Sequence, residues 1–307
     1  MDCRQLWTVG SALRGVPLRR SPQAPERHGG TAGKLRHVPY RAYGELLLLP
    51  LVQRRNESVI VAASTECFPE LSFDEVLPRL TDLQFTAFEL TVHEKDGQLK
   101  PSEVHADLPR AIELCRATRR LTLAAISVEI EAEGDEYYAQ FTSCCKMAKG
   151  AKVVALSVPS SELGAPFNAE VERLQELVKI ASSEGVLVGM KTETGRMTED
   201  PSTAVMMCDH VKGLGVTLDP SHYIYGPHAG ADYEALMKYV YHVHLRDTSK
   251  EQLQVRVGQG EVEYGRLVTQ LTRYKYDRTL SVNMTAMEGV DHDAEMRKMR
   301  LLLESLL

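Results

Sequence analysis

From Ser58 onward, eight short apolar runs alternate with intervals that carry helix signals, and this alternation constrains the fold more than any single motif does. The runs cover residues 59–63, 87–92, 121–130, 152–158, 186–192, 215–218, 240–245 and 279–284. They are rich in Val, Leu, Ile and Ala, as strands buried on both faces require. Between the fourth and fifth runs, Val171, Leu174, Leu177, Val178 and Ala181 recur at helical spacing, with Asn168 as the expected N-cap and Gly185 as the stop. Tyr264, Leu267, Val268 and Leu271 repeat the pattern before the eighth run, and a last helix is expected from about Asp293 to the end.

Strands that alternate with helices form a parallel sheet covered by those helices. Eight such units in 250 residues match a closed barrel, whereas a doubly wound sheet would carry a glycine fingerprint after its first strand. Here that strand ends in Ser64-Thr65-Glu66-Cys67-Phe68. The expected fold is α/β, a (β/α)8 TIM barrel over residues 58–307.

Residues 1–57 are different in kind. They are rich in Arg, Pro and Gly and hold ten Lys/Arg against four Asp/Glu, with no sustained period. We expect a basic, disordered N-terminal extension or an over-extended gene start. The remaining 250 residues hold 26 basic and 38 acidic side chains. That acidic body argues against nucleic acid as a partner, because such binding draws mainly on cationic contacts to phosphate. The six cysteines lack CxxC spacing and read as reduced thiols of a cytoplasmic protein. The longest strongly apolar run, 46–52, is too short to span a bilayer, so no membrane association is expected.

Three strand ends carry the ionisable residues: VLVGMKTETG (186–195), GVTLDPSH (215–222) and YVYHVHLRD (239–247). Barrel chemistry belongs at the C-terminal ends of strands. Side chains alternate along a strand, so Lys191 shares a face with Glu193, Thr217 with Asp219, and His242 with His244 and Arg246. Glu66, Glu89 and Glu129 on the first three strands are candidates to orient substrate hydroxyls, and equally candidates for rim residues facing solvent. Arg246 and Arg256 are candidate clamps for phosphate or carboxylate, and equally candidates for solvated or structural ion-pair roles. Gly258-Gln259-Gly260 reads as a turn.

Leu218-Asp219-Pro220-Ser221-His222, His242-Val243-His244-Leu245-Arg246-Asp247 and Val257-Gly258-Gln259-Gly260-Glu261-Val262, with Thr194 to Pro201 after the fifth strand, resemble the xylose isomerase-like barrel family. That family comprises sugar and sugar-phosphate isomerases and epimerases, with a class of apurinic endonucleases among its relatives. The resemblance implies one divalent metal (Mn, Mg, Zn or Fe) held by Glu, Asp, His and Glu at the ends of strands five to eight. It also implies a substrate-contacting His three residues after the Asp, and pairing of barrels into homodimers. Asp219, His222 and His244 stand at three of those positions. Lys191 and Asn283 stand where the two glutamates would be, and neither an ammonium nor a neutral amide replaces a carboxylate as ligand and base.

Three readings stay open from sequence. A metal is held by Asp219, His244 and Glu193; or Lys191 pairs with Asp219 and takes the metal's place, with His222 or His244 moving the proton and Glu193 assisting; or the Lys191–Asp219 pair is inert and the barrel binds only a carbohydrate or protein partner. The expected activity is isomerisation or epimerisation of a small carbohydrate, with His222, Arg246, Arg256, Glu89 and Asn283 contacting substrate. Metal-dependent cleavage of apurinic DNA ranks below both, since only His93 and His105 occur in the first half of the barrel.

Overall fold

The computed structural model describes residues 59–307. The N-terminal extension and Cys3 lie outside the described residues. Eight parallel strands close on themselves in chain order, with β1 paired to β8 through Ile60–Thr279 and Ala63–Val282. They are β1 (Ile60–Ser64), β2 (Ala87–His93), β3 (Thr122–Glu129), β4 (Ala155–Val158), β5 (Leu187–Lys191), β6 (Leu214–Leu218), β7 (Val240–Leu245) and β8 (Thr279–Val282). The helices are α1 (Phe73–Asp82), α2 (Pro101–Ala106), α3 (Leu108–Arg116), α4 (Gly134–Ala151), α5 (Phe167–Ser183), α6 (Pro201–His210), α7 (Ser221–Ile224), α8 (Tyr264–Arg273) and α9 (His292–Glu304). The eight strands and the barrel topology are those expected from the sequence.

Helix ends follow local chemistry. Asp200 accepts the Ser202 and Thr203 amides at the start of α6, where Pro201 needs no partner for a missing N–H. Asp291 does the same for α9 by accepting the Ala294 amide. At α1 the Glu75 carboxylate accepts from both the amide and the hydroxyl of Ser72. The start of α5 differs from expectation. Pro166 precedes the first helical residue, Phe167, and Asn168 lies inside the first turn with no capping bond. Gly185 ends that segment with φ +73°, as expected of a stop.

The main apolar core lies between strands and helices. Val188 and Met190 of β5, Val216 and Leu218 of β6, and Val243 and Leu245 of β7 are buried there with Leu174, Leu177, Met207 and Leu267. Inside the barrel the side chains are small or polar. Ser157 and Thr217 bond across it at 2.7 Å, and a Cβ on Gly189 would lie 2.8 Å from the Thr217 hydroxyl. The strand parity read from sequence therefore leaves interior room for ionisable groups. Cys67, Cys115, Cys144, Cys145 and Cys208 are free and buried. No described helix is long and apolar enough to cross a membrane.

The loop after β7 is anchored by one carboxylate. Asp247 Oδ2 accepts the amides of Gly258 at 2.7 Å and Gly260 at 3.0 Å, and its Oδ1 accepts that of Thr248. The turn at Gly258-Gln259-Gly260 thus exists to wrap backbone N–H groups around Asp247. A Cβ on Gly260 would sit 2.1 Å from Asp247 Oδ1. Gly260→Ala is expected to lower unfolding stability by about 1–3 kcal/mol through the displaced carboxylate. Urea unfolding measures this, and an unchanged midpoint would contradict the close approach.

Candidate functional site

Glu89 on β2 is wholly buried at the centre of the barrel. Its Oε1 accepts from His244 Nε2 at 2.9 Å, and Ser281 on β8 donates to its Oε2 at 2.7 Å. His242 Nε2 lies 3.1 Å from the same Oε2, off the line of a hydrogen bond. Burial alone would raise the Glu89 pKa, yet His244 and His242 hold it well below the usual carboxylate range. For His244, burial works downward and is outweighed by Glu89, so this imidazole binds its proton more tightly than an ordinary histidine. With Nε2 committed to Glu89, Nδ1 is the His244 atom left for chemistry. Glu89 is therefore a positioning residue for His244 rather than a rim group.

Asp219, one residue beyond β6, has a different partner from the one expected. Arg246 Nη2 stands 3.0 Å from Asp219 Oδ2, while Ser221 N–H donates to Oδ1 at 2.9 Å. The same Arg246 nitrogen donates to Asn283 Oδ1 at 3.0 Å, and Asn283 Nδ2 donates to Glu66 Oε2 at 3.0 Å. Arg246 is thus an internal counter-ion. Burial would raise the Asp219 pKa, but Arg246, then His222, keep it lowered.

Lys191 at the end of β5 does not reach Asp219. Its Nζ lies 4.0 Å from Glu129 Oε2 and 4.0 Å from Glu193 Oε1. Burial pushes its pKa down, and Glu193, Glu66, Glu129 and Glu89 together push it up further, so the ammonium form is stabilised. That disfavours the free amine a Schiff base would need. Arg196, in the loop after β5, holds the other oxygen of Glu129 at 3.4 Å. This arginine and the Ser281 contact were not anticipated. Strand parity would have found Ser281, two residues before Asn283, whereas Arg196 sits in a loop without a period.

His222, on α7, accepts the Thr194 amide at Nδ1 over 3.1 Å, which places the proton of the neutral ring on Nε2, 3.8 Å from Asp219 Oδ2. Burial first, then Arg246 and His244, lower its pKa despite Asp219. His222 is therefore placed as an Nε2–H donor when neutral. Arg256 is half exposed, with Nε 3.5 Å from Glu295, and does not join the site.

The expected metal ligands do not gather. Glu193, Asp219 and His244 form no cluster of ligand distance, because Arg246 engages Asp219 and Glu89 engages His244. A family-type divalent ion would face the Lys191 ammonium and the Arg246 guanidinium, so the residues present do not fit it. Among the described residues the one possible metal group is Glu89, His242 and His244, with ligand atoms within 4.8 Å of one another.

These couplings predict how the site responds to change. Glu89→Ala would leave the buried His244 imidazole without its counter-charge, a loss of about 3–5 kcal/mol on the scale of broken buried ion pairs, read as a fall in the denaturation midpoint. A histidine with a depressed folded pKa contributes stability that is complete above its unfolded value, about 6.5, and is lost as pH falls through the folded one. His93, lowered by burial and Lys191, and His222 both act in that sense. His222→Gln should accordingly flatten the acid-side loss of stability below about pH 6.5, and an unaltered profile would refute a neutral buried His222.

Residues 77–305 match the profile of the xylose isomerase-like TIM barrel family. No curated protein matches the chain by sequence. Among solved structures, D-allulose 3-epimerase from Methylomonas superposes with a TM-score of 0.64 at 12% identity, covering 81% of this chain and 98% of that one. A probable 3-DHS dehydratase from Bacillus anthracis gives 0.62 at 14%, covering 79% and 98%. A xylose isomerase-like TIM barrel protein from Mycobacterium smegmatis, solved in complex with magnesium, gives 0.61 at 15%, covering 82% and 97%. At these identities the superpositions speak for the shared barrel alone, and the match over most of the chain settles the grouping: this protein is a member of the xylose isomerase-like TIM barrel family.

Proposed function

We propose that this barrel moves a proton next to the carbonyl of a small ketose or related polyhydroxy compound, as an isomerase or epimerase. The observation that carries the reading is His244, a buried imidazole backed by Glu89 through Nε2 with Nδ1 left uncommitted. A histidine oriented by a carboxylate is a general base of fixed direction. Nδ1 takes the proton from the carbon beside the carbonyl, the C–H electron pair moves into the C–C bond, and the carbonyl oxygen takes the negative charge. The proton returns to that carbon in epimerisation, or to the former carbonyl carbon in isomerisation, where the first carbon's hydroxyl proton passes to the oxyanion and that carbon becomes the new carbonyl.

Lys191 supports the oxygen side. An N–H donor stabilises an enediolate without covalent change. Its 4.0 Å distances to Glu129 and Glu193 exceed a direct hydrogen bond. They suit a shared ligand oxygen about 2.8 Å from both partners, as a hydroxyl that accepts from the ammonium and donates to a carboxylate. Glu193 Oε2 is itself buried without a partner. Such unspent groups favour a substrate dense in hydroxyls.

Incubating the protein with ketoses and their phosphates in deuterated water and following the C–H signal by proton NMR tests the reading. Exchange is expected with at least one of them. His244→Asn should slow it by about 10²-fold or more, the usual contribution of a positioned base. Because the base form must be free, the rate should rise with pH through the raised His244 pKa. Binding of a sugar, seen as a shift in Tm, without exchange by any of them would make the barrel a carbohydrate-binding protein instead.

A further inference from the structure

We infer that Lys191 and Arg246 are resident cations that hold the place of a divalent metal in this barrel, and that the mouth receives substrate oxygens directly on their N–H groups. The placement of these charges is the same whether or not the barrel proves to be an isomerase.

Strand order in the barrel is β5, β6, β7, so the Lys191 ammonium and the Arg246 guanidinium come from the strands on either side of the one that delivers Asp219. All four positions at which the family resemblance implies ligands are accounted for. Lys191 is itself a cation. Asp219 has one oxygen on the Ser221 amide and the other 3.0 Å from Arg246 Nη2, a charge contact outside hydrogen-bond geometry. His244 has Nε2 on Glu89. Asn283 spans Arg246 and Glu66 through its amide. A divalent ion would have to displace the guanidinium from Asp219 and sit beside a second fixed positive charge.

The cations also retain donors for a ligand. Lys191 has no acceptor within hydrogen-bond distance, its nearest carboxylates lying at 4.0 Å. Arg246 Nε is buried with no partner. A buried donor left unpaired is costly, and a ligand oxygen would satisfy it. The ligand class that fits is a polyhydroxy carbonyl compound whose neighbouring oxygens develop or carry negative charge.

The rival location for a metal is the deeper Glu89, His242 and His244 group. There the carboxylate already accepts from His244 at 2.9 Å and from the Ser281 hydroxyl at 2.7 Å, with His242 Nε2 3.1 Å away but off hydrogen-bond line, so each carboxylate oxygen already has a donor from the protein.

Elemental mass spectrometry of the full chain, purified without chelator and then dialysed against manganese or magnesium chloride, tests the inference. Metal below about 0.1 per chain, with a Tm unmoved by EDTA, is the expected result. About one metal per chain would overturn it. Loss of that metal in Asp219→Ala would place it at the mouth, and loss in Glu89→Gln would place it in the deeper group. The paired change Lys191→Glu with Asn283→Glu, checked for folding by circular dichroism, is expected to raise manganese content at least about fivefold by restoring carboxylates. A folded double variant as poor in metal as the parent would overturn the role of Lys191 in excluding the ion.

Discussion

A carboxylate with no solvent exposure, placed inside a barrel, must be neutralised by the strands around it or it destabilises the fold, and Glu89 is such a carboxylate. Its partners come from β7 and β8, while its own strand pairs with β1 and β3. The contact therefore spans the interior rather than following the ladder. It ties β2 to His242, His244 and Ser281 and fixes the direction in which the His244 ring points. What the mouth can do depends on that orientation, because a ring held at Nε2 presents Nδ1 and nothing else.

Such a contact is possible because the interior is thinly filled. Barrels of this architecture commonly pack bulky branched side chains in interior layers. Here Ser157, Thr217 and Gly189 lie where such residues would otherwise meet. The apolar residues that stabilise the fold are displaced to the layer between strands and helices, where residues such as Phe88, Phe141, Leu174 and Met299 are fully buried. Stability and chemistry are thereby separated in space. The outer layer supplies burial of apolar surface, and the inner space accommodates groups whose ionisation the surrounding charges control.

The strands, their order and the parity of their side chains were legible from the chain, since a period of two and a run of Val and Leu are local properties. The pairing of charges was not. Lys191 and Asp219 share a neighbourhood by strand order, yet Arg246 reaches Asp219 first, and Lys191 leans instead toward Glu129 and Glu193. Sequence states which face a side chain takes but not which of several opposite charges its length and rotamer will meet. The same limit applies to Asp247, whose role as an anchor for the Gly258 and Gly260 amides depends on how a long loop folds back. At α5, too, the start is set by the path of the chain through Pro166 rather than by the polar residue two positions later.

The allocation of charge in the mouth leaves a particular remainder. Asp219 has Arg246 and Glu89 has His244, each close enough for a direct ion pair. Glu66 takes the Asn283 amide and is held below its usual range, burial notwithstanding, by Lys191, His93 and His244. Lys191 is then attracted by several carboxylates while none is near enough to accept its hydrogens. An inert structural lysine in so buried a place would be expected to close one of those gaps, since a direct charge-assisted bond is worth more than two distant attractions. Gaps of this width on two sides of one ammonium instead leave space for an oxygen that belongs to neither carboxylate, and a hydroxyl-bearing ligand supplies it.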